Sequence, residues 1–267
     1  NKKVGYPDEW QDYADLKISP AKLVSNVRDG RRFENERQIK KLSTGVDRDE
    51  WNMTPQTVNA YYRPTLNEIV FPAAILQAPF FDPSVDDAFN YGAIGAVIGH
   101  EFSHGFDDQG RKFDGTGALR DWWTEADAAA YSERAQTLVA QYNNYQPLPD
   151  LNINGELTLG ENIGDLAGLT MAYRAYQKAA RATWGDAGAP VIEGYTGDQR
   201  FFIGYAHAWR GKYRDEALRE RLLRDSHSPG KYRVIGVLRN MDAFYKAFDV
   251  QPGDEMYLPP AERVRIW

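Results

Sequence analysis

Ala88 to Phe106 is the longest apolar helical stretch of the chain, and Gly92, Gly95 and Gly99 interrupt it. Each glycine costs a helix interior about 1 kcal/mol relative to alanine. A helix that retains three of them is expected to pack closely against its neighbours. The chain can supply such an interior. Its 267 residues, 42% apolar and 13% aromatic, suffice for one large domain or two small ones.

The remaining pattern places elements around this segment. Residues 1–50 are polar and charged, and a helix is predicted from Ser19-Pro20 to Leu42, with Pro20 at its first position and Gly45 just past its end. Val58–Tyr62 and Glu68–Phe71 are short runs of β-formers stopped by Pro64 and Pro72. They predict an antiparallel hairpin with one strand free at a sheet edge. Further helices are predicted at Thr124–Tyr142 with Thr124 as N-cap, Asn162–Ala180, Gln199–Lys212 and Val234–Phe248. The fold class is therefore α+β, mostly helical with a small β-sheet. A helical segment over residues 1–50 precedes the main domain, residues 51–267.

Composition narrows the function. The net charge of −6 disfavours nucleic acid as a partner. No apolar run approaches the roughly 18 residues that cross a bilayer, so no transmembrane segment is expected. Cysteine is absent, which removes disulfides and thiolate chemistry and leaves His, Asp and Glu as the metal-binding side chains. The first residues carry no apolar core of a signal peptide.

The chemistry concentrates in His100-Glu101-Phe102-Ser103-His104. Histidines four apart on a helix lie within about 40° of each other on one face. Both imidazoles can then reach one Zn²⁺ at about 2.0–2.1 Å. Glu101, beside the first ligand, is placed to take a proton from an activated water. A bare pattern of this kind also arises by chance. Here it sits in an apolar helix and uses two of only four histidines. A catalytic zinc needs a third protein ligand and one open position. Glu161 is the best candidate, with Asp165 four residues on to accept the second ring N–H of a ligating His. The competing reading makes Glu161 a helix-start charge. Asp107, three residues after His104, is a second acceptor of this type. From spacing alone His227 and Arg233 read as surface residues. Their chemical alternatives are an oxyanion stabiliser and a clamp on a peptide carbonyl. His207 reads as a satisfied core histidine and Trp122-Trp123 as packing.

These residues resemble the neprilysin and endothelin-converting-enzyme family of zinc peptidases, including its bacterial members. The resemblance runs from about residue 50 to Trp267. It rests on Val58–Tyr62, Ile69–Ala73, Ile75–Gln77, Val97–Asp108, Asp121–Thr124, Gly160–Asp165, Ala172–Tyr176 and His227–Gly230. It implies a thermolysin-like catalytic fold, with His100, His104 and Glu161 holding one zinc and Glu101 as base. Asp165 and Asp107 become partners of the ligating imidazoles. It also implies that His227 stabilises the oxyanion, that Arg233 binds the substrate carbonyl, and that Asn59 and Ala60 pair with the substrate backbone. An apolar pocket for the residue after the scissile bond would be lined by Ile75, Phe80, Ala96, Val97, Ala208 and Trp209.

Two departures stand out. Family members are much longer, with a helical region ahead of the catalytic part, so residues 1–50 are expected to be the end of such a region. It or another chain would then cover the site. Animal members carry a cysteine where this chain has Val264, which points to a bacterial protein, periplasmic or secreted. The expected function is zinc-dependent hydrolysis of short peptides. The alternative is a catalytically silent, zinc-containing peptide-binding fragment.

Overall fold

The computed structural model describes residues 1–266; Trp267, one residue of the family resemblance, lies outside them. Three strands form one sheet in the order β1-β3-β2. β1 is Lys2–Gly5, β2 is Tyr61–Arg63 and β3 is Glu68–Pro72. The predicted hairpin is present, with Tyr61 opposite Val70 and a 3-10 turn over Pro64–Leu66. Its first strand starts later than predicted. Asn59 and Ala60 are loop residues just ahead of it. β3 is buried along its whole length because β1 adds in parallel on its other side, with Lys2 opposite Ile69. The sequence reading missed β1. A four-residue strand with two lysines carries too little apolar pattern to announce itself.

The helices are α1 (Leu23–Thr44), α2 (Asp87–Asn90), α3 (Ala96–Ser103), α4 (Glu125–Asn143) and α5 (Leu159–Trp184). They continue with α6 (Gly197–Ala208), α7 (Asp215–Arg224), α8 (Gly230–Leu238) and α9 (Asp242–Phe248). The apolar stretch from residue 88 is helical but not uniform, because a wider π-type turn over Tyr91–Gly95 joins α2 to α3. α3 also ends at Ser103, short of Phe106. The expected tight packing is present. A Cβ on Gly99 would come within 2.5 Å of the Gly168 carbonyl oxygen. α3 and α5 thus cross backbone to backbone.

Other boundaries differ for identifiable reasons. α1 begins at Leu23, because Ser19 to Lys22 form a turn closed by the Asn26 side chain, which accepts from Ser19 N at 3.0 Å and donates to Ser19 O at 2.7 Å. α4 is capped as predicted, with Thr124 Oγ1 accepting from Asp127 N at 3.1 Å. α6 starts at a capping box formed by Thr196 and Gln199. It ends at Ala208 rather than Lys212, and α7 was not anticipated. The final predicted helix is two, because Asn240 turns the chain. Its buried amide donates to Gly236 O at 2.7 Å and accepts from Val264 N at 2.6 Å.

The main core gathers Tyr142, Ile163, Leu169, Tyr176, Phe201, Phe202 and Val237 between α4, α5, α6 and α8. A smaller cluster of Ala60, Ile69, Phe71, Ile75, Ile94 and Val97 joins the sheet to α3. α1 buries no residue. Arg37 and Lys41 tie it to Glu50, the former at 2.8 Å. Among the described residues, no helix is long and apolar enough to cross a membrane.

Candidate metal centre and active site

α3 and α5 bring three side chains to one point. His100, His104 and Glu161 offer ligand atoms that all lie within 4.8 Å of one another. The one-turn spacing on α3 sets the two imidazoles nearly perpendicular, with ring centroids 4.6 Å apart. Glu161 stands in the first turn of α5.

Each imidazole is oriented from behind. His100 Nδ1 lies 2.9 Å from Asp165 Oδ1, and His104 Nδ1 lies 2.7 Å from Asp107 Oδ2. These bonds leave both Nε2 atoms to face Glu161, at 3.1 Å for His100 and 3.9 Å for His104. Asp107 is fixed in turn, since its Oδ1 accepts from Gln109 N and Gly110 N at 2.9 and 2.7 Å. Asp165 is forked by Arg233, whose Nε and Nη2 each donate to it at 2.6 Å. The Arg233 guanidinium carbon lies over the Trp209 ring, 3.7 Å from its centroid.

The electrostatics follow from this crowding. Burial alone would lower the pKa of His100, but the neighbouring carboxylates of Asp165 and Glu161 outweigh it and push it up to about 10. Burial would raise the Glu161 carboxyl, yet His100 and His227 hold it well below the usual carboxylate range. Glu101 differs. It is 5% exposed, and burial pushes its carboxyl up against the opposing imidazoles of His100 and His104. A proton acceptor is thereby moved toward neutrality.

The donor set suits a divalent transition metal. Two neutral imidazole nitrogens and one carboxylate are the usual three protein ligands of a hydrolytic zinc. Oε2 of Glu161 is buried without a well-aligned hydrogen bond, although Nε2 of His100 and of His227 both lie 3.1 Å away. A cation among these groups would satisfy it. Zinc therefore fits the residues present.

A cleft of about 770 Å³ opens on this cluster. The residues expected to bind substrate line it: Asn59, Ala60, Ile75, Phe80, Val97 and Trp209 all border it, with Ala96 and Ala208. Glu101, Asp107, Asp165, His227 and Arg233 border it too. Phe80 meets Trp209 edge to face at 6.5 Å. β2 sits at the sheet edge beside the cleft, directly after Asn59 and Ala60. His207 is not part of the cluster. It packs on Phe89 at 5.4 Å, and its Nδ1 is buried without a hydrogen-bond partner, so it is not the satisfied histidine expected.

Three supports were not legible in the sequence. Asp225 accepts from His227 N and Nδ1 at 2.9 and 2.8 Å and fixes that ring. Ser228 donates to Asn162 at 2.8 Å, pinning the loop before α8 to α5. Gly164 lets α5 approach the His100 ring, because a Cβ there would lie 2.7 Å from its Cε1 and Nδ1. The Asp-x-His spacing was the available signal for the first; the other two had none.

The chain is similar to known proteins over most of its length. The family model for Peptidase family M13 matches residues 59–264. Human neprilysin is 40% identical over 277 residues, covering 99% of this chain and 36% of its own length. Mouse endothelin-converting enzyme 1 is 41% identical over 271 residues, covering 99% of this chain and 35% of its own length. The solved structure of the Mycobacterium tuberculosis zinc metalloprotease ZMP1 in complex with inhibitor superposes with a TM-score of 0.96 at 53% identity, over 100% of this chain and 41% of that one. The chain thus spans about a third of the length of these curated relatives. With the match extending over most of its residues, the chain belongs to Peptidase family M13.

Proposed function

We propose that this chain is the thermolysin-like catalytic portion of a zinc-dependent endopeptidase that hydrolyses short peptides and prefers a large apolar residue after the scissile bond. The observation that carries the reading is the convergence of His100, His104 and Glu161 at one point, with Glu101 in the same cleft. These three would hold one Zn²⁺. When bound, zinc polarises water and carbonyl oxygen and lowers the pKa of water to about 7.

The protein's own groups do the rest. Asp165 and Asp107 keep the ligating imidazoles in the tautomer that presents Nε2. Glu101 accepts the proton of the attacking water and returns it to the leaving amine. His227, held by Asp225, donates through Nε2 to the oxygen that gains negative charge. Arg233 spends Nε and Nη2 on Asp165 and keeps Nη1 for the substrate carbonyl. Asn59 and Ala60 pair with the substrate backbone ahead of the β2 edge. Ile75, Phe80, Ala96, Val97, Ala208 and Trp209 receive the apolar side chain. Residues 1–50 are read as the end of a preceding helical region that covers the site, and the compartment as bacterial periplasm or exterior.

The test is cleavage of a short peptide carrying Phe or Leu after the scissile bond, before and after zinc is stripped and returned. Zinc-restored cleavage supports the reading. The second reading is a silent, zinc-containing peptide-binding fragment. One bound zinc per chain with no cleavage would establish that one.

A further inference from the structure

Asn162 follows Glu161 directly in α5, and Ser228 follows His227 directly in the loop before α8. Both side chains are only 1% exposed, and they meet in one hydrogen bond, Ser228 Oγ donating to Asn162 Oδ1 at 2.8 Å. Asparagine is a poor helix former, and its amide is costly to bury unpaired. Here the amide is paired at both ends. Its Nδ2 donates to Thr158 Oγ1 at 2.9 Å, and that hydroxyl donates to Asn154 O at 2.9 Å. The donor order fixes the amide. Thr158 gives its proton to a carbonyl and so accepts from Asn162, which turns the amide oxygen toward Ser228.

His227 needs such a hold. Its side chain is 39% exposed, so packing alone fixes it poorly. Asp225 accepts from its N and Nδ1 at 2.9 and 2.8 Å, but the two residues share one loop. That pair turns the ring and does not set how far the loop stands from α5. The fork of Arg233 on Asp165 ties α8 to α5 about one turn further along both helices. The bond between Ser228 and Asn162 acts at the loop itself. Each partner is the chain neighbour of one member of the pair His227 Nε2 and Glu161 Oε2, which lie 3.1 Å apart.

We propose that Ser228 and Asn162 are positioning residues that set the distance of His227 from the Glu161 carboxylate, and so place its Nε2 for the oxygen that gains negative charge. The inference rests on the peptidase reading of the same cleft and adds to it what locates the oxyanion donor. A shift of about 1 Å in such a group can cost about 100-fold in rate. Loss of one hydroxyl leaves the loop backbone in place, so an effect of about tenfold is expected.

The experiment compares the zinc-loaded chain with Ser228→Ala. Zinc affinity is read by chelator competition. Calorimetry reads two ligands, a product peptide beginning with Phe and a phosphinic isostere of the uncleaved peptide, whose tetrahedral phosphorus carries the charged oxygen of the intermediate. Ser228→Ala is expected to weaken the isostere about tenfold and to leave zinc and the product peptide within twofold. In cleavage assays kcat should fall by the same factor at unchanged KM. In a His227→Ala background the Ser228→Ala change should weaken the isostere no further, because it acts through that ring. Equal weakening of all three ligands, an unchanged isostere affinity, or an undiminished effect without His227 overturns the proposal. So does a parent chain that binds the isostere no more tightly than the product peptide. If Ser228→Ala does not fold, the near-isosteric Thr158→Val, at the far end of the same hydrogen-bond chain, is judged by the same comparison. If the parent cleaves no peptide, the peptidase reading fails by itself, and the affinities still decide the role of Ser228 and Asn162.

Discussion

Arg233 grips Asp165 with two parallel hydrogen bonds of 2.6 Å, while the same carboxylate holds His100 Nδ1 at 2.9 Å. One buried acid thus joins the candidate metal ligand on α3 to the arginine on α8. Arg233 is 6% exposed and Asp165 3%, so neither charge can turn to water if its partner is lost.

Asp165→Asn should therefore act twice. Leaving Arg233 buried without its counter-charge costs about 3 kcal/mol or more. Loosening the His100 ring should weaken zinc about 10–100-fold. Thermal melts and competition with a chelator measure the two effects separately. Parent-like zinc affinity would show that Asp165 does not orient the ligand.

Glu101→Gln should keep zinc and lose hydrolysis by about 10²–10⁴-fold, the usual worth of a positioned general base. Metal content by emission spectroscopy and a fluorogenic peptide assay check both halves. Peptidase activity within a few-fold of the parent would remove Glu101 from the base role.

His100 makes the metal-free protein pH-dependent in a definite direction. Its pKa is pushed up to about 10 in the folded chain, against about 6.5 unfolded. The folded state thus binds the proton more tightly. The resulting stability is complete below about pH 6.5 and is lost as pH rises to about 10. Urea midpoints of the metal-free chain should fall across that window, and those of the zinc-loaded chain should not follow. Zinc binding at pH 6, where a zinc-bound water is still mostly un-ionised, should also release about one proton per chain, measurable with an indicator dye in weak buffer. No proton release would show that His100 is neutral before metal arrives.

Two glycine substitutions should move stability in opposite directions. Gly164→Ala drives a methyl to 2.7 Å from the His100 ring. It should cost about 1–3 kcal/mol and lower zinc affinity. Gly30→Ala meets nothing within 4 Å on α1 and should stabilise by about 0.5–1 kcal/mol. Chemical denaturation of both variants tests the contrast.

The sequence alone determined what local spacing can encode. Two histidines one helical turn apart, an acid between them, and Glu161 with Asp165 one turn apart all follow from the 3.6-residue repeat. The hairpin followed from β-forming runs stopped by proline, and the close packing of the 88–106 segment from its glycines. The family resemblance supplied the expected roles of His227 and Arg233, which spacing by itself read as surface residues, and the expected pocket walls. Tertiary structure decided what depends on residues far apart in the chain. β1 reaches β3 across more than sixty residues, and a short polar strand exists only because that partner is there. The break between α8 and α9 comes from Asn240 finding Val264, a partner no local pattern reveals. The fork of Arg233 on Asp165, and the bond of Ser228 to Asn162, arise because α5 meets α8 and the loop before it at one cleft. Periodicity fixes which side chains share a face, and only packing fixes what that face meets.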